Sequence, residues 1–347
     1  MPTPVPDLVV LGPPGHGVTG YAADLAAAVR SRRPDVRVLE VEDPTALVEL
    51  AGRGRPLHLH VTDHLLGRSA LEAADVVEAV ATRCALSLTL HDVPQASDGP
   101  GRLERRASGY RRMALAARLV VVSSEHERAL LHEHVGAGVA ATAHVVPLGS
   151  AAPVPTVPAP GGPVVERAEG LRVLLAGWVY PGKGHLEAAR SAVEAAAGLS
   201  GDRAAVTVVA VGGASPGHES ELLDLRAAVR SVGAELQVTG VLSRDAYRAQ
   251  LAGPGVPVVA HQHVSASRTL LEWAEHGRRA VVLRSRYTEE MAALRPGLVE
   301  VVDPSGLATA IAAAWGAPER TWLPATADLR PDLADAAAAH LAIWEAA

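Results

Sequence analysis

In "AGWVYPGKGH", residues 176–185, Lys183 stands between Gly182 and Gly184, and it is the only lysine among the 32 lysines and arginines of the chain. A compact, mobile ammonium differs from a planar guanidinium, and flanking glycines let backbone N–H groups approach an anion closely. The stretch follows a strand, "LRVLLAG", and precedes a helix, so a phosphate bound there would also face a helix N-terminus. A second anion site is suggested by "HQHVSASRTLLEWAEHG", residues 261–277. There Ser265 and Ser267 precede a helix whose first-turn N–H groups, at Arg268, Thr269 and Leu270, have no intrahelical partner. Glu272, one turn in, can accept hydrogen bonds from ribose hydroxyls, and Ser267 can also cap the helix.

Other motifs point to chemistry and fail on one residue each. Gly12 and Gly17 have the spacing of a P-loop, but Val18 stands where the phosphate-binding lysine is required. Gly213, Ser215 and Gly217 match a nucleophile elbow, but the oxyanion hole needs the N–H of the next residue, and Pro216 has none. No H-E-x-x-H or C-x-x-C pair occurs. "LHLHVTDH" places His58 and His60 on one face of a strand; with His64 they read as strand-end and loop histidines in preference to metal ligands. No metal and no cofactor are expected.

These motifs must be positioned by elements that the composition constrains. A chain of 347 residues suggests two domains. Hydrophobic residues make up 48% and aromatics only 3%, so the cores must be built from Ala, Val and Leu. A formal net charge of −6 gives no basic field for nucleic acid. The single cysteine, Cys84, forms no internal disulfide, and neither a signal peptide nor a long uncharged apolar run is found. A soluble cytoplasmic protein is the expectation.

Apolar strand-like runs alternate with Ala-rich helical stretches: "DLVVLG" then 18–31, "LHLHV" then 68–83, "LSLTL" then 102–117, and "RLVVVS" then 124–135. Continuous runs of this kind imply parallel strands covered on both faces. A proline-rich linker, 151–165, follows this first Rossmann-like domain, 1–150. A second series fills 166–325: "LRVLLAG", helix 185–197, "AVTVVAVGG", helix 218–231, "ELQVTG", helix 244–252, "VPVVAH", helix 268–276, "RAVVL" and "LVEVVD". Residues 326–347 form a helix that can cross back to the first domain.

Two Rossmann-like domains, the proline-rich linker, the glycine–lysine turn and "SRTLLEWAEHGRRAVVL" together resemble the GT-B glycosyltransferases, and among them the retaining group 1 (GT4) family. The resemblance implies an α/β fold with an N-terminal acceptor domain and a C-terminal nucleotide-sugar donor domain facing it across a cleft. The family's turn, G-R-x4-K-G, maps onto Gly177, Trp178, Lys183 and Gly184, with Trp178 in the place of the arginine. Of the family's E-x7-E pair, Glu272 matches the second member, the ribose contact, and Val264 occupies the first. His263, Ser265 or Arg268 stands near enough to take over the sugar contact, and Arg268 could replace the lost charge. "LTLHD" resembles the strand that delivers a histidine to the sugar pocket, which implies His91 as a catalytic residue beside Lys183. Gly15 and Gly17 match the first glycine-rich loop, and His16 resembles the base of inverting relatives. Backbone groups at Gly240 and Leu242 would hold the nucleobase.

The implied activity is metal-independent transfer of a sugar from a nucleotide-diphosphate sugar to an acceptor hydroxyl with retention; the acceptor is a glycan, lipid or small molecule. Two other readings stay open: a non-catalytic member with a degraded donor site, and an inverting transferase or nucleotide-sugar epimerase. "RLERRASGYRRMALAARL", residues 102–119, carries six arginines and reads either as a solvated helix face or as a peripheral contact with the inner face of a membrane.

Overall fold

The structure is a computed structural model and describes residues 5–13, 15–151, 170–199, 205–215 and 217–347. The expected linker lies, from residue 152 onward, outside these residues, as does Pro216. The chain divides into two compact units, Met1–Ala151 with Arg330–Ala347, and Ala152–Leu329. Each is an α/β unit built on a six-stranded parallel sheet, the class expected from the alternating pattern.

The first unit holds β1 (Asp7–Leu11), β2 (Val38–Val41), β3 (Leu57–Val61), β4 (Leu86–Leu90), β5 (Leu119–Val122) and β6 (His144–Val145). Their order is β2-β1-β3-β4-β5-β6. The two central strands, β3 and β4, are buried at every position. Their register sets Leu57, Leu59 and Val61 beside Leu86, Leu88 and Leu90, and His58 and His60 beside Ser87 and Thr89. Because successive side chains alternate faces, one face of this strand pair is aliphatic and the other is a polar stripe, and both are covered. The helix Gly17–Arg32 and the C-terminal helix Leu333–Ala346 pack on each other, and Tyr21, His340 and Trp344 from them meet the histidines of the stripe. The C-terminal helix starts from an Asp332–Asp335 capping box, and Leu333 N–H donates to Ser150 O at 3.0 Å.

β2 has no counterpart among the strands expected from sequence. It is an edge strand of four residues with only Val41 buried, so it carries no continuous apolar run. The helix Arg286–Leu294, started by a Ser285–Thr288 capping box, was likewise not anticipated.

The second unit contains all six expected strands: β7 (Leu171–Ala176), β8 (Val206–Val211), β9 (Glu235–Val238), β10 (Val256–Val259), β11 (Ala280–Leu283) and β12 (Val299–Val302). They are ordered β12-β11-β10-β7-β8-β9. Chain direction across the sheet reverses between β7 and β10, and in such sheets the loops leaving the two strands at a reversal diverge and open a crevice. One fixed point of this unit is Arg278, which is 1% exposed. Its guanidinium donates to the carbonyls of Leu251, Gly253, Gly255 and Thr321 and lies 4.4 Å from the Trp322 ring centre. Among the described residues, no helix is long and apolar enough to cross a membrane.

Candidate functional site

The loops after β7 and β10 carry the glycine–lysine turn and the serine-rich helix start. Gly177 closes β7 at φ +91°, and its N–H donates to Val211 O at 3.0 Å. Lys183, 5% exposed, folds back over it. A Cβ on Gly177 would lie 3.2 Å from both Lys183 Nζ and Thr269 Oγ1, so the missing side chain is the space these two groups occupy. Nζ reaches Thr269 Oγ1 at a long 3.5 Å and lies 5.7 Å from the Tyr180 ring centre, within cation–π range. Gly184, at φ +91°, starts the helix His185–Ala197, and a Cβ there would stand 2.0 Å from Ala260 O. Glycine therefore lets this helix begin directly against the end of β10.

Among the described residues Lys183 makes no salt bridge. Burial pushes its ammonium down to about 8, against the opposing pull of the Glu272 charge. Its neighbours are kept neutral. His185 is driven down to about 3 by burial and by Lys183, and neither of its ring nitrogens has a hydrogen-bond partner among the described residues. His261 is lowered well below its ordinary value by burial, then by Lys183 and His185. A buried ammonium without a counter-ion is costly, and an anion arriving beside it would remove that cost.

The helix Arg268–Glu275 follows β10. Ser267 stands at its N-cap without the expected capping bond: its hydroxyl is buried and has no partner among the described residues, while its N–H donates to Tyr287 Oη at 2.9 Å. Ser265 is also buried. The spare charge expected of Arg268 is not spare. Its guanidinium pairs with both carboxylate oxygens of Glu275 at 2.7 and 2.8 Å, because the two residues fall on one face of the helix, two turns apart. Leu270, 2% exposed, is packed beside Leu251 and Trp273, so only its backbone can meet a ligand. Glu272 is half-buried and accepts from Tyr247 Oη at 2.9 Å.

Around this centre, His263 is exposed and covers Gly182, where a Cβ would meet its ring at 2.7 Å. Trp178 is half-buried beside the turn, and Val264 packs partly into the core. Gly240, at φ +73°, follows β9 next to Gly213, and Leu242 packs on the same core. Tyr247, His185 and His261 escape sequence reasoning because no motif marks them; the burial of His185 at the first turn after Lys183 is the one available signal. Removing the Tyr247 hydroxyl frees Glu272 to reorient. If Glu272 takes the ribose role that the resemblance implies, Tyr247→Phe should weaken nucleotide binding by roughly tenfold to a hundredfold, the worth of one hydrogen bond to a charged group, as read by calorimetric titration.

Gly15, Gly17 and His91 belong to the first unit. Gly17 opens the helix after β1, and His16 caps it, its Nδ1 accepting from Val18 N–H at 3.3 Å. The threonine of the P-loop spacing, Thr19, is turned inward, donating to Leu11 O at 2.7 Å. His91 follows β4, stacks on His60 and pairs with it, Nε2 to Nδ1, at 2.9 Å. Burial, then His340 and His16, push His91 down to about 3, so it is neutral. The next residue, Asp92, has φ +51°, and Arg106 holds this corner through Asp92 O at 2.7 Å, Asp63 and Asp98. Arg106 is thus buried in an ion network. Arg112 pairs with Asp75 and Glu78, Arg111 donates to Val135 O and Arg118 to Ala347 O, which leaves Arg102 and Arg105 exposed and without an ion pair among the described residues.

No family model matches the chain, and no curated protein matches its sequence. Solved structures do. HepE from Anabaena in complex with UDP-glucose is 14% identical, with 98% of this chain and 100% of that chain covered and a TM-score of 0.72. Sucrose-phosphate synthase from Thermosynechococcus elongatus is 14% identical over 98% and 95% of the two chains, with a TM-score of 0.63. An α,α-trehalose-phosphate synthase (UDP-forming) from Burkholderia vietnamiensis is 14% identical over 94% and 77%, with a TM-score of 0.55. Likeness at this identity is likeness of fold: the chain has the GT-B fold of two Rossmann-like units.

Proposed function

We propose, from this fold and the glycine–lysine turn of the second unit, that the chain is a retaining glycosyltransferase of the group 1 (GT4) type that uses a nucleotide-diphosphate sugar and no catalytic metal. The observation that carries the reading is Lys183: a buried ammonium with no salt bridge among the described residues, set over a glycine at the switch point of the sheet. HepE was crystallised with UDP-glucose, and the trehalose-phosphate synthase is UDP-forming, which makes a uridine donor the first to test.

In this reading Lys183, the Gly184 amide and the first-turn N–H groups of Arg268, Thr269 and Leu270 hold the diphosphate. Glu272, oriented by Tyr247, accepts from the ribose hydroxyls, and the backbone at Gly240 and Leu242 receives the base. Trp178, His263 and Ser265 line the donor site, with Ser267 offering its hydroxyl, which has no partner among the described residues. His91 donates to a sugar hydroxyl as a neutral imidazole. The acceptor oxygen bonds to the anomeric carbon on the face from which the diphosphate leaves; the anomeric carbon–phosphate oxygen bond breaks, and the acceptor proton passes to the leaving phosphate. Preorganised donors aimed at that developing charge do the work.

The test is release of nucleotide from nucleotide sugars in the presence of glycan, lipid and small-molecule acceptors, without added divalent ion, with the product's anomeric configuration read by NMR. Retention supports the proposal; inversion, or epimerised donor without acceptor, overturns it. A non-catalytic binding role is the second reading, favoured by Trp178 in the arginine position and by the pairing of Arg268 with Glu275. It predicts nucleotide binding without release. Membrane contact through Arg102 and Arg105 would appear as binding to anionic vesicles that Arg102→Glu with Arg105→Glu removes.

A pH dependence follows from Lys183. Its conjugate acid is held at about 8 in the free protein, so only below that pH is the ammonium in place before the diphosphate arrives. Nucleotide affinity should be flat from pH 6.5 to 7.5 and fall about tenfold per pH unit above 8. An affinity unchanged at pH 9.5 would remove Lys183 from the binding step.

A further inference from the structure

The polar stripe of the first unit is unused by the proposed transfer reaction, except at His91. His58, His60 and His340 converge there, 1%, 5% and 1% exposed, each offering a ring nitrogen within 4.8 Å of the others. Two come from β3 and the third from the C-terminal helix, about 280 residues later in the chain.

We infer that these three histidines form a metal site for Zn²⁺ or a similar first-row divalent ion, which fastens the C-terminal helix to the first sheet. Two independent features of the geometry support this. The ring centres lie 5.2, 5.6 and 6.1 Å apart. Three imidazoles bound at ~2.1 Å around a tetrahedral or trigonal ion place their ring centres ~5 to 5.5 Å apart, so the cluster is nearly the size of a loaded site. Secondly, each ring already has a hydrogen-bond partner on Nδ1. His58 Nδ1 meets Ser87 Oγ at 2.9 Å, His340 Nδ1 donates to Ala336 O at 2.9 Å, and His60 Nδ1 meets His91 Nε2 at 2.9 Å. Metal-bound histidines are characteristically oriented in this manner by a partner on the other nitrogen.

The hydrogen-bond accounting also permits the loaded state, in which Thr89 alone gives up its present partners. Ser87 can pass its own proton to Leu57 O at 3.3 Å, which lets its oxygen accept from His58 Nδ1–H and frees His58 Nε2. Thr89 Oγ1, 3.1 Å from His58 Nε2 and 3.4 Å from His340 Nε2, flanks the fourth ligand position. Nitrogen donors without thiolate suit zinc, nickel, copper or cobalt over calcium or magnesium. An ion on His60 Nε2 would fix the His60 proton on Nδ1, so that it donates to His91 Nε2; the site would then orient His91 without touching substrate.

The test uses the untagged full chain, stripped with chelator and titrated with Co²⁺ and Zn²⁺. The expected result is one equivalent bound, visible absorption of tetrahedral cobalt, paramagnetically shifted ring protons from three histidines, and a melting temperature that rises with Zn²⁺. His340→Gln should abolish the cobalt absorption, and Ser87→Ala should weaken binding ~10- to 100-fold. If His340→Gln does not fold, the shifted histidine signals of the parent protein decide. Absent cobalt absorption, or absorption unchanged in folded His340→Gln, would overturn the inference.

Discussion

Lys183→Ala loses nucleotide binding and lowers kcat/KM for donor consumption by roughly 10²- to 10³-fold, the usual cost of removing one charge-stabilising donor. The expectation rests on the isolation of this ammonium, which has Thr269 Oγ1 at 3.5 Å and no salt bridge among the described residues. Lys183→Arg should not restore the activity, because the ammonium fits a space bounded by Gly177 and Thr269, and a planar fork is wider. Lys183→Met separates binding from folding. Burial depresses the folded pKa of the lysine below its unfolded value, so the protonated side chain weakens the fold below about 8, and that cost fades as pH rises from there toward the unfolded value. The methionine variant should therefore melt no lower than the parent at pH 7 while binding no nucleotide. A variant that binds as the parent does would show that the diphosphate lies elsewhere.

Gly184→Ala should destabilise the second unit by about 3 kcal/mol or more, from a left-handed backbone together with a forced clash. Its Cβ would stand 2.0 Å from Ala260 O, a backbone atom fixed next to β10, so either the helix His185–Ala197 or the strand end must move. Lys183 moves with it, and nucleotide affinity should fall in the same variant. Gly17→Ala is the control. Its Cβ meets nothing within 4 Å and its φ is not positive, so its effect should stay within about 0.5 kcal/mol. Denaturant melts of the two variants compare them directly; equal stabilities would refute the close-packing argument at Gly184.

Most strands of the second unit were legible as Val- and Leu-rich runs, and the turn was legible because its lysine is unique in the chain. β2 was not: like β9 it is an edge strand with one buried residue and carries no such run. The stripe on β3 and β4 was visible only as alternate letters in "LHLHV" and "LSLTL". What the letters do not reveal is that the C-terminal helix covers that face and brings His340 to it. The same holds for Arg268 and Glu275, and for Tyr247 and Glu272: residues whose types were readable but whose partners are chosen by the packing of helices. Arg268 shows the consequence, a charge counted as free from sequence and found neutralised in the fold.

The most direct test of the central claim is a thermal-shift titration of the purified chain with UDP, GDP, ADP and dTDP and their sugar conjugates, with and without magnesium. One nucleotide should stabilise the protein by about 2.7 kcal/mol at 100 times its Kd, equally in the two conditions, and Lys183→Ala should abolish the shift. No shift with any nucleotide at millimolar concentration would contradict a donor site at Lys183.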